Sequence, residues 1–115
     1  MKTGMTGERS AEAYLVSLGY DIRGRNVRVG KGEIDLLAYD HGDGVLVFAE
    51  VKSRSRGDDD YRPDLNLTPT KRRAMASAAR AWVARHSYDD GYRLDLLCVV
   101  DGLVTDHLRE IAWGD

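Results

Sequence analysis

Asp35, Glu50 and Lys52 stand in a pattern that could hydrolyse a phosphodiester bond. Asp35 ends the run Gly32-Glu33-Ile34-Asp35, and Ala49-Glu50-Val51-Lys52 follows, with Glu50 fifteen residues beyond Asp35. Carboxylate and carbonyl oxygens are hard ligands. Asp35, Glu50 and the backbone carbonyl of Val51 would therefore suit Mg²⁺ or Mn²⁺, which keep several of their waters. Lys52, beside them, could contact a phosphate or help orient and deprotonate an attacking water. Charge that builds on phosphoryl oxygens would be neutralised at such a site.

These groups can act together only if the chain brings them together. Ala11, Tyr14, Leu15 and Leu18 recur at helical spacing, which predicts a first helix from about Gly7 to Leu18, stopped by Gly19. Strands are predicted over Tyr20–Val29, Glu33–Tyr39 and Val45–Ser53, separated by the turn Gly30-Lys31-Gly32 and the loop His41-Gly42-Asp43-Gly44. Alternation puts Glu33, Asp35, Leu37 and Tyr39 on one face and Ile34, Leu36 and Ala38 on the other. In the next strand Leu46, Phe48, Glu50 and Lys52 share a face that turns from apolar to charged. One short hairpin joins the two strands, so Asp35 and Glu50 can lie near one end of the sheet.

A polar loop, Arg54–Leu67, follows and is expected to be mobile. Thr68-Pro69 opens a second helix to about Arg85, whose buried stripe is Met75, Ala78, Ala79, Trp82 and Val83. Strands over Arg93–Val100 and Leu103–Ile111 complete an α-β-β-β-α-β-β order. The expected fold is α/β, with helices packed on a mixed sheet. Glu8 lies at the edge of the first helix's apolar stripe and Lys71 heads that of the second, so both could reach the carboxylates. Each feature also has an ordinary reading. Glu50 and Lys52 could be an ion pair on a wet face, worth little; Asp35 could bond a loop amide, and Glu33 could pair with a neighbouring arginine. The two strands together are more specific than any residue alone.

The 115 residues fit a single domain, 1–115, and 43% hydrophobic with 31% charged residues is a globular composition. There is no run of ~20 apolar residues to cross a membrane; Met1–Ser10 is polar and Gly-rich, so a secretory leader is not expected, and the one cysteine, Cys98, lies in an apolar strand. A reducing cytoplasm is the expected location. The net charge of −2 is low for a nucleic-acid binder, but basic residues cluster at Arg23, Arg25, Arg28 and Lys31, at Arg54 and Arg56, and at Lys71-Arg72-Arg73.

The pattern Gly7-Glu8-Arg9-x-Ala11-Glu12-x-Tyr14-Leu15, Gly19-Tyr20, Arg25-Asn26-x-Arg28, Gly32-Glu33-Ile34-Asp35-Leu36, Val47-Phe48-x-Glu50-Val51-Lys52-x-Arg54 and Arg93-x-Asp95 resembles the YraN family. That is a group of small bacterial proteins similar to the PD-(D/E)xK nucleases. The resemblance implies a restriction-endonuclease-like αβββαβ core, with Asp35 and Glu50 as metal-binding acids and Lys52 as the catalytic lysine. Glu8 resembles the helix-borne acid that assists the metal in Holliday-junction resolvases, and Lys71 matches a basic residue on the helix after the core strands. Glu33-Ile34 stands where the superfamily name has Pro-x. The expectation is a Mg²⁺- or Mn²⁺-dependent DNA endonuclease, selective for branched or junction DNA, with Arg28, Arg54 and Lys71 on phosphates. A homodimer is expected by analogy with the resolvases, and the alternative is a non-catalytic nucleic-acid-binding accessory module on the same fold.

Overall fold

The computed structural model describes residues 3–54 and 68–111. The elements are α1 (Thr3–Ser17), β1 (Asp21–Val29), β2 (Gly32–Asp40), β3 (Val45–Arg54), α2 (Pro69–Arg85), β4 (Tyr92–Val100) and β5 (Leu103–Leu108). The strands form one sheet in the order β1-β2-β3-β4-β5. Consecutive hairpins make β1–β2, β2–β3 and β4–β5 antiparallel, while β3 and β4, joined through α2, run parallel. This is the expected α/β architecture, an αβββαβ core with one further edge strand.

Each helix covers one face. Ala11 and Leu15 of α1 pack on Leu36, Ala38, Val47, Ala49, Leu97 and Val99. On the other face Ala76, Ala78 and Ala79 of α2 pack on Ile34, Leu37, Leu46, Phe48 and Leu94. Small residues on α2 let the helix approach closely: a Cβ at Gly32 would meet the Ala78 Cβ at 3.2 Å. Phe48 meets Trp82 and Tyr92 edge to face at 5.7 and 5.4 Å, a favoured aromatic geometry. Thr68 caps α2 by accepting from the Lys71 amide at 3.2 Å, as its position before Pro69 predicts.

Four sequence expectations need correction. The first helix starts at Thr3 and ends at Ser17, and Leu18 is exposed rather than part of the stripe. Gly19, at φ 90°, reverses the chain, and the Tyr20 amide bonds back to the Leu15 carbonyl, so Tyr20 fills the buried place instead. The last strand ends at Leu108, not Ile111; beyond it the Ile111 amide donates to the Leu94 carbonyl and the Glu110 amide to Asp95. Alternation in β2 also fails at one point. Ile34 belongs to the α2 face with Leu37, whereas Leu36 and Ala38 face α1. The faces change at Asp35, opposite Asn26, which adopts φ 49° between the pairs Arg25↔Leu36 and Val27↔Ile34. Asparagine tolerates that left-handed conformation better than most residues. The loop expected to be mobile lies, from residue 55 to 67, outside the described residues.

A buried polar network ties the α1 face together. Arg93 is 3% exposed and Asp95 1%. The Arg93 guanidinium donates to both Asp95 oxygens (2.9 and 3.1 Å), to Asp40 (3.2 Å), to Asp43 (2.9 Å) and to the Tyr20 hydroxyl (2.8 Å). His107 Nε2 lies 2.7 Å from Asp95, and its Nδ1 lies 3.0 Å from the Tyr14 hydroxyl. A single neutral tautomer satisfies both contacts, with Nε2–H donating and Nδ1 accepting. Asp40 also accepts from the Gly42 and Asp43 amides, closing the β2–β3 hairpin. One arginine thus joins that hairpin, β4 and the chain after α1, and Asp95 extends the links to β5. Burial pushes Asp95 and Asp40 up, but hydrogen bonds, from His107 and Arg93 to the one and from the Asp43 amide and Arg93 to the other, hold both below the usual aspartate range.

Breaking a buried ion pair from one side strands its partner, so Arg93→Met should destabilise the fold by about 3–5 kcal/mol in denaturant melts. Because Asp95 and Asp40 titrate lower folded than unfolded, their contribution is complete above the ordinary value of 3.8 and is lost as pH falls through their folded values. Stability followed by circular dichroism should therefore fall as pH drops below about 3.8, and Asp95→Asn should flatten that dependence.

Candidate active site

The β2–β3 ladder ends at the pair Leu36↔Ala49. Beyond it the strands part: β2 stays with β1 back to Gly32, and β3 stays with β4 out to Arg54. Parting leaves backbone groups of β3 without a β2 partner, and a buried N–H must find one. The Asp35 carboxylate accepts from the Val51 amide at 2.9 Å. The donor is a strand amide rather than the loop amide considered from the sequence; the bond reaches across to β3 and holds Asp35 against the second motif.

Glu50 and Lys52 follow β3's alternation onto the α2 face. The Lys52 ammonium is 3.9 Å from a Glu50 oxygen, with the side chains 23% and 25% exposed. Asp35 and Glu50 are near enough for each to act on the other's carboxyl. Burial, and then the charge of Asp35, push the Glu50 carboxyl up to about 7. Burial also raises Asp35, with the Val51 amide opposing and Glu33 adding to the rise. Two carboxylates held this close favour either a proton or a cation between them. Among the described residues, no three acidic, imidazole or thiol groups are close enough to hold a metal ion without other ligands.

Glu8 lies on α1 at the edge of this cluster. Partial burial raises its carboxyl first, and the charges of Asp35 and Glu33 raise it further, against a hydrogen bond from Asn26. Gly7 explains how α1 comes so near. It is buried, and an added Cβ would collide with the Ser53 hydroxyl and lie 3.1 Å from the Ser53 Cβ. The resemblance motif includes Gly7 without giving it a role, because a glycine's use in close packing is invisible until its neighbour is known. Glu8 also borders a recess of about 620 Å³ lined by Glu12, Arg25, Asn26 and Leu36.

Of the expected phosphate contacts, Lys71 lies at the first turn of α2 beside Lys52, whose ammonium pulls Lys71 below the usual lysine range. Glu50 and Arg54 also act on Lys71, which places all four groups in one neighbourhood. Arg28 is apart from them, exposed on β1 opposite Glu33. The rest of the β1 basic cluster is largely engaged: Arg25 makes a bidentate pair with Glu12 at 2.6 Å and Arg23 pairs with Asp21 at 2.9 Å. Glu12 thus joins α1 to β1. No described helix is long and apolar enough to cross a membrane.

A solved structure described as "Structure of EndoMS-dsDNA2 complex" aligns with TM-score 0.47 at 17% identity, over 85% of this chain and 38% of that one. A protein of Pelobacter propionicus is 40% identical over 85% of this chain and 70% of its own length. One from Symbiobacterium thermophilum is 45% identical over 73% of this chain and 69% of its own. Another, from Oleidesulfovibrio alaskensis, is 43% identical over 84% of this chain but only 46% of its own length, so this chain spans less than half of that relative. All three are described as UPF0102 proteins. The model of the Uncharacterised protein family UPF0102 matches residues 7–99, and this chain belongs to that family, the YraN family of the sequence resemblance.

Proposed function

We propose that this chain is a divalent-metal-dependent endonuclease that hydrolyses phosphodiester bonds in DNA, with branched or junction DNA as its substrate class. The observation that carries this reading is two half-buried carboxylates gathered where β2 and β3 part, Asp35 bonded to the Val51 amide at 2.9 Å and Glu50 3.9 Å from the Lys52 ammonium. The donors fit a hard cation: Asp35, Glu50 and the Val51 carbonyl would hold Mg²⁺ or Mn²⁺, with Glu8 at the margin and room for the waters these ions retain. Bound there, the ion supplies neutralisation of the charge that develops on the phosphoryl oxygens.

The chain's own groups do the rest. Water attacks phosphorus and releases a proton to solvent as the new P–O bond forms; the bond from phosphorus to the leaving sugar oxygen breaks, and that oxygen takes a proton from solvent. Lys52 donates to a non-bridging oxygen and orients the water; Lys71 and Arg54 add positive charge on the phosphate side. Asp35 keeps the two strands in register through the Val51 amide, so the acids stay aligned during the reaction.

In a cleavage assay with Mg²⁺ or Mn²⁺ on linear, single-stranded, flapped and four-way-junction DNA, Glu50→Gln and Lys52→Ala should each lower the rate by ~10²–10⁴-fold while the fold is kept. No cleavage of any substrate in either metal would sink the enzymatic reading, and retained DNA binding would then favour an accessory module. Calorimetric titration with Mn²⁺ separates binding from chemistry. Parent protein should bind the ion, and Asp35→Asn should weaken binding at least tenfold; equal affinity in the two would remove Asp35 from the ligand set.

A further inference from the structure

Helix α2 carries Lys71, Arg72, Arg73, Arg80 and Arg85 and no acidic residue, in a chain whose net charge is −2. Arg72, Arg73, Arg80 and Arg85 are all exposed. Among the described residues, none of these four guanidinium groups has a carboxylate within ion-pair distance. Three arginines elsewhere are paired, Arg23 with Asp21, Arg25 with Glu12, and Arg93 with Asp40, Asp43 and Asp95, while Arg28 is exposed singly on β1. Arg73, Ser77, Arg80 and Ala84 follow one another at i, i+4, i+7 and i+11, one exposed row opposite the alanines that face the sheet. Arg73 and Arg80 lie two turns, about 10 Å, apart along the axis. The small residues between them leave a surface close enough for a polyanion's backbone to approach. The row belongs to the helix whose first turn brings Lys71 to Glu50 and Lys52.

We propose that the outer face of α2 is a phosphate-tracking surface for duplex DNA, with Arg73 and Arg80 as its central contacts. The surface extends the DNA footprint away from the cleavage site along a helix about 25 Å long. This rests on the reading of the neighbouring site as one that acts on DNA. It assigns the main electrostatic track to α2 rather than to the paired arginines of β1.

The test is equilibrium binding of a fluorescent duplex in EDTA, where no cleavage occurs, over a range of salt concentrations. Each phosphate contact contributes about 0.9 to the log–log salt slope, so R73Q/R80Q should lower the slope by about 1.8. R23Q should leave it unchanged, because that charge is already paired with Asp21. Thermal melting checks that the variants are folded; if the double variant does not fold, R80Q alone should lower the slope by about 0.9. A slope unchanged in the folded variants overturns the proposal, as does a parent chain that does not bind the duplex. Preferential binding to anionic lipid vesicles, lost in R73Q/R80Q, also overturns it. Metal-dependent cleavage by the parent is scored separately: cleavage with an unchanged slope defeats only the surface, and an altered slope without cleavage defeats only the catalytic reading.

Discussion

The site depends on one hydrogen bond, from the Val51 amide to the Asp35 carboxylate. It lies where a continuous ladder would otherwise have paired β2 with β3. Separation of two strands leaves polar backbone with no partner, and a buried N–H left alone costs about 1–3 kcal/mol. A carboxylate relieves that cost, but only by accepting partial burial and the company of Glu50. The same event opens the sheet, brings two acids together and raises both of them. Fold and candidate site are coupled because the group that repairs the ladder is also one of the two acids gathered there.

The surrounding structure holds this junction from several sides. Gly7 lets α1 come against Ser53 at the far end of β3, and that brings Glu8 to the cluster. The Thr68 cap fixes the start of α2, so that Lys71 begins its helix beside Lys52. The Arg93 network stabilises a different part of the α1 face, linking the hairpin after β2 to β4, while Asp95 and His107 carry the connection to β5 and Tyr14. Buried ion pairs contribute less net stability than their contacts suggest, because desolvation opposes the attraction. Their directional bonds nevertheless define which strand ends meet. A firm sheet beneath a strained cluster of like charges is a reasonable arrangement for positioning acids that would otherwise repel.

Charge is divided unevenly over the molecule, which is why the small net charge is a poor guide to its partners. The β1 arginines are consumed largely by pairs with Glu12 and Asp21, and Arg93 by buried aspartates. The α2 arginines are exposed on a helix with no acid of its own. Composition adds these populations together; only their placement separates a structural cation from one available to a ligand.

Local sequence determined much of this protein. Apolar spacing, glycine turns and the Thr68-Pro69 cap specify the element order, because such signals act within a few residues and do not need distant partners. The motifs Gly-Glu-Ile-Asp and Ala-Glu-Val-Lys, one hairpin apart, made Asp35, Glu50 and Lys52 legible as a candidate site. Tertiary structure decided what depends on contacts between distant segments: the change of faces at Asp35, the burial of Tyr20 in place of Leu18, the use of Gly7, and the Arg93–Asp95–His107 network. It also decided which cations are paired. Period-two alternation assumes an unbroken ladder, and here the pairing is interrupted at Asp35, so the side of the sheet reached by each β2 residue could be settled only by the strands meeting in space.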